Sequence, residues 1–371
     1  MAPGATLVAM ILAAAACGDD TSTDDAAPVA TSPVTEAVEA TSPADTDAPD
    51  STVSQAAPPT VGSPATTGSP STEAPADAAF PVTIEHAFGS TTIESEPQRI
   101  VSLGFTDHDV LLALGVEPIA IRAWYGDYEY VWPWAEAALG DLQPEVIPSG
   151  DLSIEQIAAL DPDLIIGLQI GLEAGDYDLL SRIAPTVAQS GGYPNWGTPW
   201  QVNTITMGQA VGKADEAAAL VADVEGQFAA ARAAHPEWEG VELVYGEGTA
   251  NFYVETDGST RMKVLQDLGF VVPEELAALG SDTFYHDISA EQIEMLDHDI
   301  VLWEPAVLEL MPEVEANSIY QTLAVSQEDR DIFMIDPVIA GAMAHADVLS
   351  LPIVLDFLVP ELERAVANLS E

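Results

Sequence analysis

Six aromatic residues crowd one short stretch of this chain. Ile121-Arg-Ala-Trp-Tyr-Gly-Asp-Tyr-Glu-Tyr-Val-Trp-Pro-Trp134 carries Trp124, Tyr125, Tyr128, Tyr130, Trp132 and Trp134. No amphipathic helix or strand period explains that density. Broad ring faces suit a large planar or wrapped chelate, and Arg122 can stack on a ring or meet an anionic oxygen. Some of these rings must also pack the segment onto its own domain; Trp124, Tyr125 and Tyr128 are the favoured contacts. A second aromatic segment, Tyr193-Pro-Asn-Trp-Gly-Thr-Pro-Trp200, offers Tyr193 and Trp196. No motif for covalent chemistry accompanies them. The chain has no Gly-x-Ser-x-Gly, no P-loop and no Gly-x-Gly-x-x-Gly after a strand. Carboxylate pairs carry no weight among 61 acids.

These segments need scaffolding, and a repeat supplies it. Residues 151–166 read DLSIEQIAALDPDLII, and residues 287–302 read DISAEQIEMLDHDIVL. Ser153 and Ser289 can each cap a helix, with Gln156 and Gln292 answering from three residues on, a capping box. A short helix, Asp-x-Asp and a buried strand follow in both copies. Two such units imply two similar lobes and a cleft between them. Strands are expected at 99–103, 118–121, 145–147, from 164, at 186–188, 241–245 and 331–335. Residues 214–234 should form one helix about 30 Å long, with Leu220, Val221, Val224 and Phe228 on one stripe. The fold class is therefore α/β: two similar α/β lobes joined by a long α-helix.

In open α/β sheets, ligands bind outside the carboxyl ends of the strands. Both aromatic segments follow strands and should rim the cleft. The same argument nominates Gln169 at the end of the first repeat's strand and Trp303 at the matching place in the second. It also nominates Tyr245 at a strand end and Tyr253 in the loop beyond. Arg261, just before a helix, is a second candidate cationic anchor; a plain surface arginine is the alternative. His86, His108, His235, His286, His298 and His345 show no metal-ligand spacing. His108, His286 and His345 would have to converge through the fold to bind one, and no protein-bound metal is expected.

The amino terminus has its own logic. An apolar run from Ala5 to Ala16 is too short to span a bilayer and ends at Cys17, the sole cysteine. Residues 1–17 read as a lipoprotein signal and Cys17 as the lipidated residue, tethering the chain to the outer face of a cytoplasmic membrane. Residues 18–79 are Ala, Thr, Pro, Ser and Asp-rich, a disordered tether. The lobes are expected at 80–203 and 240–371, with a linking helical segment at 204–239. A net charge of −52, with nine bases, excludes nucleic acid as a partner.

Ala14-Ala-Ala-Cys17, Pro97-Gln-Arg-Ile-Val-Ser-Leu103, LLALGV at 111–116, both Ser-x-Glu-Gln repeats, Leu268-Gly-Phe270 and Leu349-Ser-Leu-Pro352 together resemble the iron–siderophore substrate-binding lipoproteins of bacterial ABC importers. The likeness extends over residues 81–368, and the Trp/Tyr-rich segment resembles the actinobacterial branch. It implies a monomer that captures a ferric siderophore and delivers it to a permease dimer, with no covalent chemistry and no cofactor beyond that ligand. It implies an aromatic contact at Phe284 and Tyr285. It also implies that Glu155 and Glu291, one per lobe, dock on arginines of the two permease subunits. Haem or a cobalamin is the alternative ligand. A cell-envelope interaction lipoprotein without transport is the alternative of another class.

Overall fold

The computed structural model describes residues 79–369 apart from 125–127, 129, 249–251, 281–283, 306–313 and 315. Cys17, the signal, residues 18–78 of the tether and Tyr125 lie outside the described residues. The described chain opens on an antiparallel hairpin that the sequence pattern did not suggest, β1 (Val82–His86) and β2 (Gly89–Ile93). It fastens to the first lobe by burying Ile84 and Ile93.

The first lobe is a five-stranded sheet of β3 (Ile100–Ser102), β4 (Ala120–Arg122), β5 (Glu145–Ile147), β6 (Leu164–Gly167) and β7 (Thr186–Ala188). Its order is β5-β4-β3-β6-β7, and every neighbouring pair is parallel. Uninterrupted apolar runs such as Leu164-Ile-Ile fit strands covered on both faces. The chain steps outward from β3 to β5, then resumes on the other side at β6. The reversal between β3 and β6 is the point where α/β sheets open a crevice at their carboxyl ends.

The second lobe departs from a simple copy. Its sheet comprises β8 (Leu243–Gly248), β9 (Phe252–Glu255), β10 (Tyr285–Ile288), β11 (Ile300–Pro305) and β12 (Asp331–Phe333), in the order β10-β9-β8-β11-β12. Strands β8, β11 and β12 are parallel, but β9 runs antiparallel to both β8 and β10. Tyr253 is therefore on a strand, not in a loop.

The repeat has a structural reason. Asp163 accepts hydrogen bonds from the backbone N–H groups of Gln98 and Arg99 at 2.8 Å each, just before β3. Asp299, at the matching place, accepts from the Glu242 N–H at 3.0 Å, just before β8. Each copy thus ties its strand to the start of the central strand of its sheet. The caps are less alike. Ser153 accepts from the Gln156 N–H at 3.2 Å, but the Gln156 side chain turns to Glu145. The full capping box forms only at Ser289 and Gln292, where the helix is a 3-10 turn, Ala290–Leu296.

Two antiparallel helices, Trp200–Ala210 and Ala214–Ala234, join the lobes. A Cβ on Gly208 would meet the Ala217 Cβ at 2.3 Å, so glycine is what lets these helices touch. The long helix buries Ala217, Val221, Val224 and Phe228, with Leu220 half-buried beside them. One apolar core takes residues from both sheets, the long helix and the terminal helix Leu351–Asn368. A shared core of this kind resists hinging, because interiors are close-packed.

Candidate functional site

A cleft opens where the carboxyl ends of the two sheets face each other. It holds about 790 Å³ of free space, part of it open to solvent. The first lobe lines it with Phe105, Thr106, Trp124, Gln169 and Trp196, the second chiefly with Glu247, Glu255, Arg261, Phe284 and Tyr285. A roomier groove lies at the other end of the first sheet, around Pro97, Ile119 and Pro144. It lacks aromatic side chains and sits at the amino ends of the strands, so it is the poorer ligand site.

The first lobe's wall is a stack of rings. Phe105 stacks with Trp124, 5.4 Å away at 19°, and with Trp196, 5.6 Å away at 12°. Phe105 follows β3 at the switch point, and a single Phe in an ordinary loop gave no sequence signal. Asp107 secures this floor. Its carboxylate accepts from the Leu168 N–H at 2.8 Å and the Gln169 N–H at 3.2 Å, while the Phe105 N–H donates to the Gln169 carbonyl at 2.9 Å. Gly104 leaves room for that carboxylate, since a Cβ there would meet it at 2.0 Å. Burial pushes Asp107 up to about 6, against the opposing bonds from Leu168, Gln169 and Gly104.

Trp196 is held in an unusual backbone state, φ 66°. Its indole packs on Gly171, itself at φ 65°, where a Cβ would come within 3.2 Å of the ring nitrogen. Lys263 of the second lobe donates to the Gly197 carbonyl at 3.0 Å and braces the same loop. Strain maintained by surrounding contacts is a recurring property of ligand-binding loops.

Several nominated residues sit elsewhere. Arg122 is buried under the wall: its guanidinium lies 4.5 Å over the Phe105 ring and donates to the Gly150 carbonyl. It supports the stack without lining the cleft. Tyr128 packs on Trp132 in a small adjoining pocket. Tyr193, 41% exposed, is not among the residues that line the cleft. Tyr253 sits behind Tyr285, ring to ring at 5.1 Å. Two nominations are corrected outright. Tyr245 (0% exposed) and Trp303 (1%) belong to the second lobe's interior. Trp303 donates to the Tyr320 hydroxyl at 2.8 Å. Both were placed at strand ends, but β8 and β11 run on to residues 248 and 305. Glu155 and Glu291 are exposed in the first turns of their helices.

The second lobe's wall is charged. Arg261 reaches Glu247 at 3.4 Å, Glu255 at 3.2 Å and Glu304 at 3.1 Å. The sheet register explains the convergence. Glu304 pairs across from Glu247, and Glu255 is two residues from Tyr253, which also pairs with Glu247. With a period of two, all three glutamates stand on one face. Tyr245 stands there too and donates its hydroxyl to Glu304. Burial raises Glu247, Glu255 and Glu304 above the ordinary range, and Arg261 pulls each back down.

A second buried polar group fastens the lobes behind the cleft. Asp109 faces His108 and His345 at 3.5 Å each, His345 lies 3.8 Å from Asp347, and Trp134 donates to Asp109 at 2.8 Å. Burial alone would raise Asp109, but the His345 hydrogen bond, the two histidines and Trp134 outweigh it and hold it at about 2. Asp347 is pushed well up by burial and by Asp109. Ligand atoms of Asp109, His345 and Asp347 lie within 4.8 Å of one another, one metal-sized group among the described residues. His286 does not join it; it bonds the Gly280 carbonyl. Trp132 and Trp134 close over this group, and a Cβ on Gly341 would come within 2.5 Å of the Trp132 ring. Part of the aromatic segment thus packs the lobes together.

Two α/β lobes around an aromatic cleft have the architecture of a binding protein. Residues 100–337 match the periplasmic binding protein family, and the chain belongs to it. Over 234 residues it is 32% identical to the probable siderophore-binding lipoprotein YfiY of Bacillus subtilis, covering 60% of this chain and 68% of that one. Over 276 residues it is 29% identical to the ferric enterobactin-binding periplasmic protein FepB of Escherichia coli, covering 71% and 80%. A periplasmic solute binding protein from Mycobacterium smegmatis shares the fold with a TM-score of 0.69 and 36% identity, over 77% of this chain and 98% of that one. Streptococcus pneumoniae PiaA in complex with ferrichrome does so with a TM-score of 0.65 and 26% identity, over 77% and 99%. The mycobacterial likeness agrees with the actinobacterial character of the aromatic segment.

Proposed function

We propose that this chain captures a ferric siderophore outside the cytoplasm and delivers it to an ABC importer. The observation that carries the reading is the Trp124–Phe105–Trp196 stack facing a cleft of chelate size between the lobes. Ring faces bind the apolar skirt of a wrapped chelate, and iron arrives already coordinated, so no protein ligand to iron is needed. The names of the relatives support the same ligand class. The protein acts as a monomer without catalysis. Cys17 carries the lipid that keeps it at the membrane. The exposed Glu155 and Glu291 meet the two permease subunits, where a carboxylate at a helix start is also favoured by the helix dipole. Uptake of radiolabelled ferric siderophore tests the whole reading. The Glu155→Ala/Glu291→Ala double variant should bind siderophore normally yet fail to support uptake; normal uptake would refute the docking role.

A further inference from the structure

We propose that the second lobe's wall is a subsite for an ammonium group, so that the preferred ligand is a ferric chelate bearing a positive charge. The inference rests on reading the cleft as a ferric-chelate site and names its ligand more narrowly. Arg261 is the one cationic side chain lining the cleft among the described residues, and Glu247 and Glu255 line it beside Arg261. Glu304 completes the group, so one guanidinium faces three carboxylates. Arg261 is engaged by these partners: its Nη1 donates to Glu255 at 3.2 Å, and the carboxylates outnumber it three to one. The other nearby cations are committed too: Arg122 to Phe105 and the Gly150 carbonyl, Lys263 to the Gly197 carbonyl.

Three carboxylates against one guanidinium leave acceptors in excess at this wall. Glu255 is 3% exposed, and its Oε2 has no hydrogen-bond partner among the described residues. A carboxylate oxygen buried without a partner is costly and calls for a donor. Of the three carboxylates, Glu247 has the most exposed side chain, at 21% beside 25% for Arg261, and is the one a ligand reaches. An incoming ammonium group brings both the charge and the three N–H donors this wall lacks. A triply anionic catecholate would meet like charge there. The groups facing Glu247 and Glu255 are Tyr245 on β8, Arg261 on the helix Thr260–Asp267 and Glu304 on β11. Protons occupy the carboxylates at low pH, so affinity for a cationic chelate falls as pH drops.

The test is calorimetric titration of the full chain with three ferric complexes at neutral pH and low salt. Ferrioxamine B is a tris-hydroxamate with one pendant ammonium, its N-acetyl derivative is the same chelate uncharged, and ferric enterobactin is a triply anionic catecholate. The ammonium chelate should bind about tenfold tighter than its acetylated twin, the scale of one charge-assisted hydrogen bond. Glu247→Gln should abolish that preference. Equal affinity of the twins, tightest binding of the catecholate, or a preference that survives Glu247→Gln would overturn the subsite and leave the siderophore reading intact. Binding of none of the three by a folded chain would overturn both.

Discussion

Asp107→Ala probes the floor of the cleft. The substitution leaves the Leu168 and Gln169 N–H groups, now 2.8 and 3.2 Å from the carboxylate, without an acceptor. Each buried donor left unsatisfied costs about 1–3 kcal/mol, so two cost on the order of 4 kcal/mol. The carboxylate itself brings an opposing term. Burial pushes Asp107 up to about 6 from 3.8, so the native state binds the proton more tightly than the unfolded chain does. Its contribution to stability is therefore largest at acid pH and declines as pH rises through that interval. Between pH 5.0 and 7.5 the decline is about 1.4 kcal/mol. The variant, which cannot titrate there, should lose more against wild type at pH 5.0 than at 7.5. Calorimetric melts at both values measure this, and at roughly 2–4 °C per kcal/mol the gap at pH 5.0 is on the order of 10 °C. Melting temperatures within 2 °C of wild type at both values, or a gap that widens with pH, would refute the reasoning.

The interlobe group behind the cleft should titrate in the opposite sense. Asp109 is held at about 2, so its stabilisation is complete above about pH 4 and is lost as pH falls toward 2; Asp109→Asn should cost about 3–5 kcal/mol at pH 7 and progressively less below pH 4, read by urea unfolding. Gly171→Ala forces a side chain into φ 65° and against the Trp196 indole. It should cost about 1–2 kcal/mol and weaken siderophore binding together with the Trp196 fluorescence response; unchanged binding would show that Trp196 is not a contact.

The lobes, the long helix and the first sheet were legible because local signals agreed with the global fold. Ser153 and Ser289, Asp163 and Asp299, and the apolar strand after each do the same work in both copies. The second lobe was less legible. Strands β9 and β10 are four residues each and pair antiparallel across the stretch 256–284, too short a signal to mark Tyr253 as strand. Tyr245 and Trp303 were misplaced because β8 and β11 extend past the expected ends, which turned cleft contacts into core residues. Glu247, Glu255 and Glu304 were invisible among 61 acids. Only the register of three strands separates them from a solvated surface. Phe105, the centre of the ring stack, is one aromatic in a short loop, and nothing local distinguishes it.

The central claim is that a ferric siderophore sits against the Trp124–Phe105–Trp196 wall. Titration of intrinsic tryptophan fluorescence with a panel of hydroxamate, catecholate and mixed ferric complexes tests it most directly. At least one complex should quench with a micromolar or tighter dissociation constant, on the order of −8 kcal/mol, and more tightly than its iron-free chelator, which is not pre-organised. The Trp124→Ala/Trp196→Ala double variant should lose that affinity by at least about tenfold while remaining folded. Binding of haem or a cobalamin with silence across the ferric panel, or full siderophore affinity in the double variant, would contradict the account.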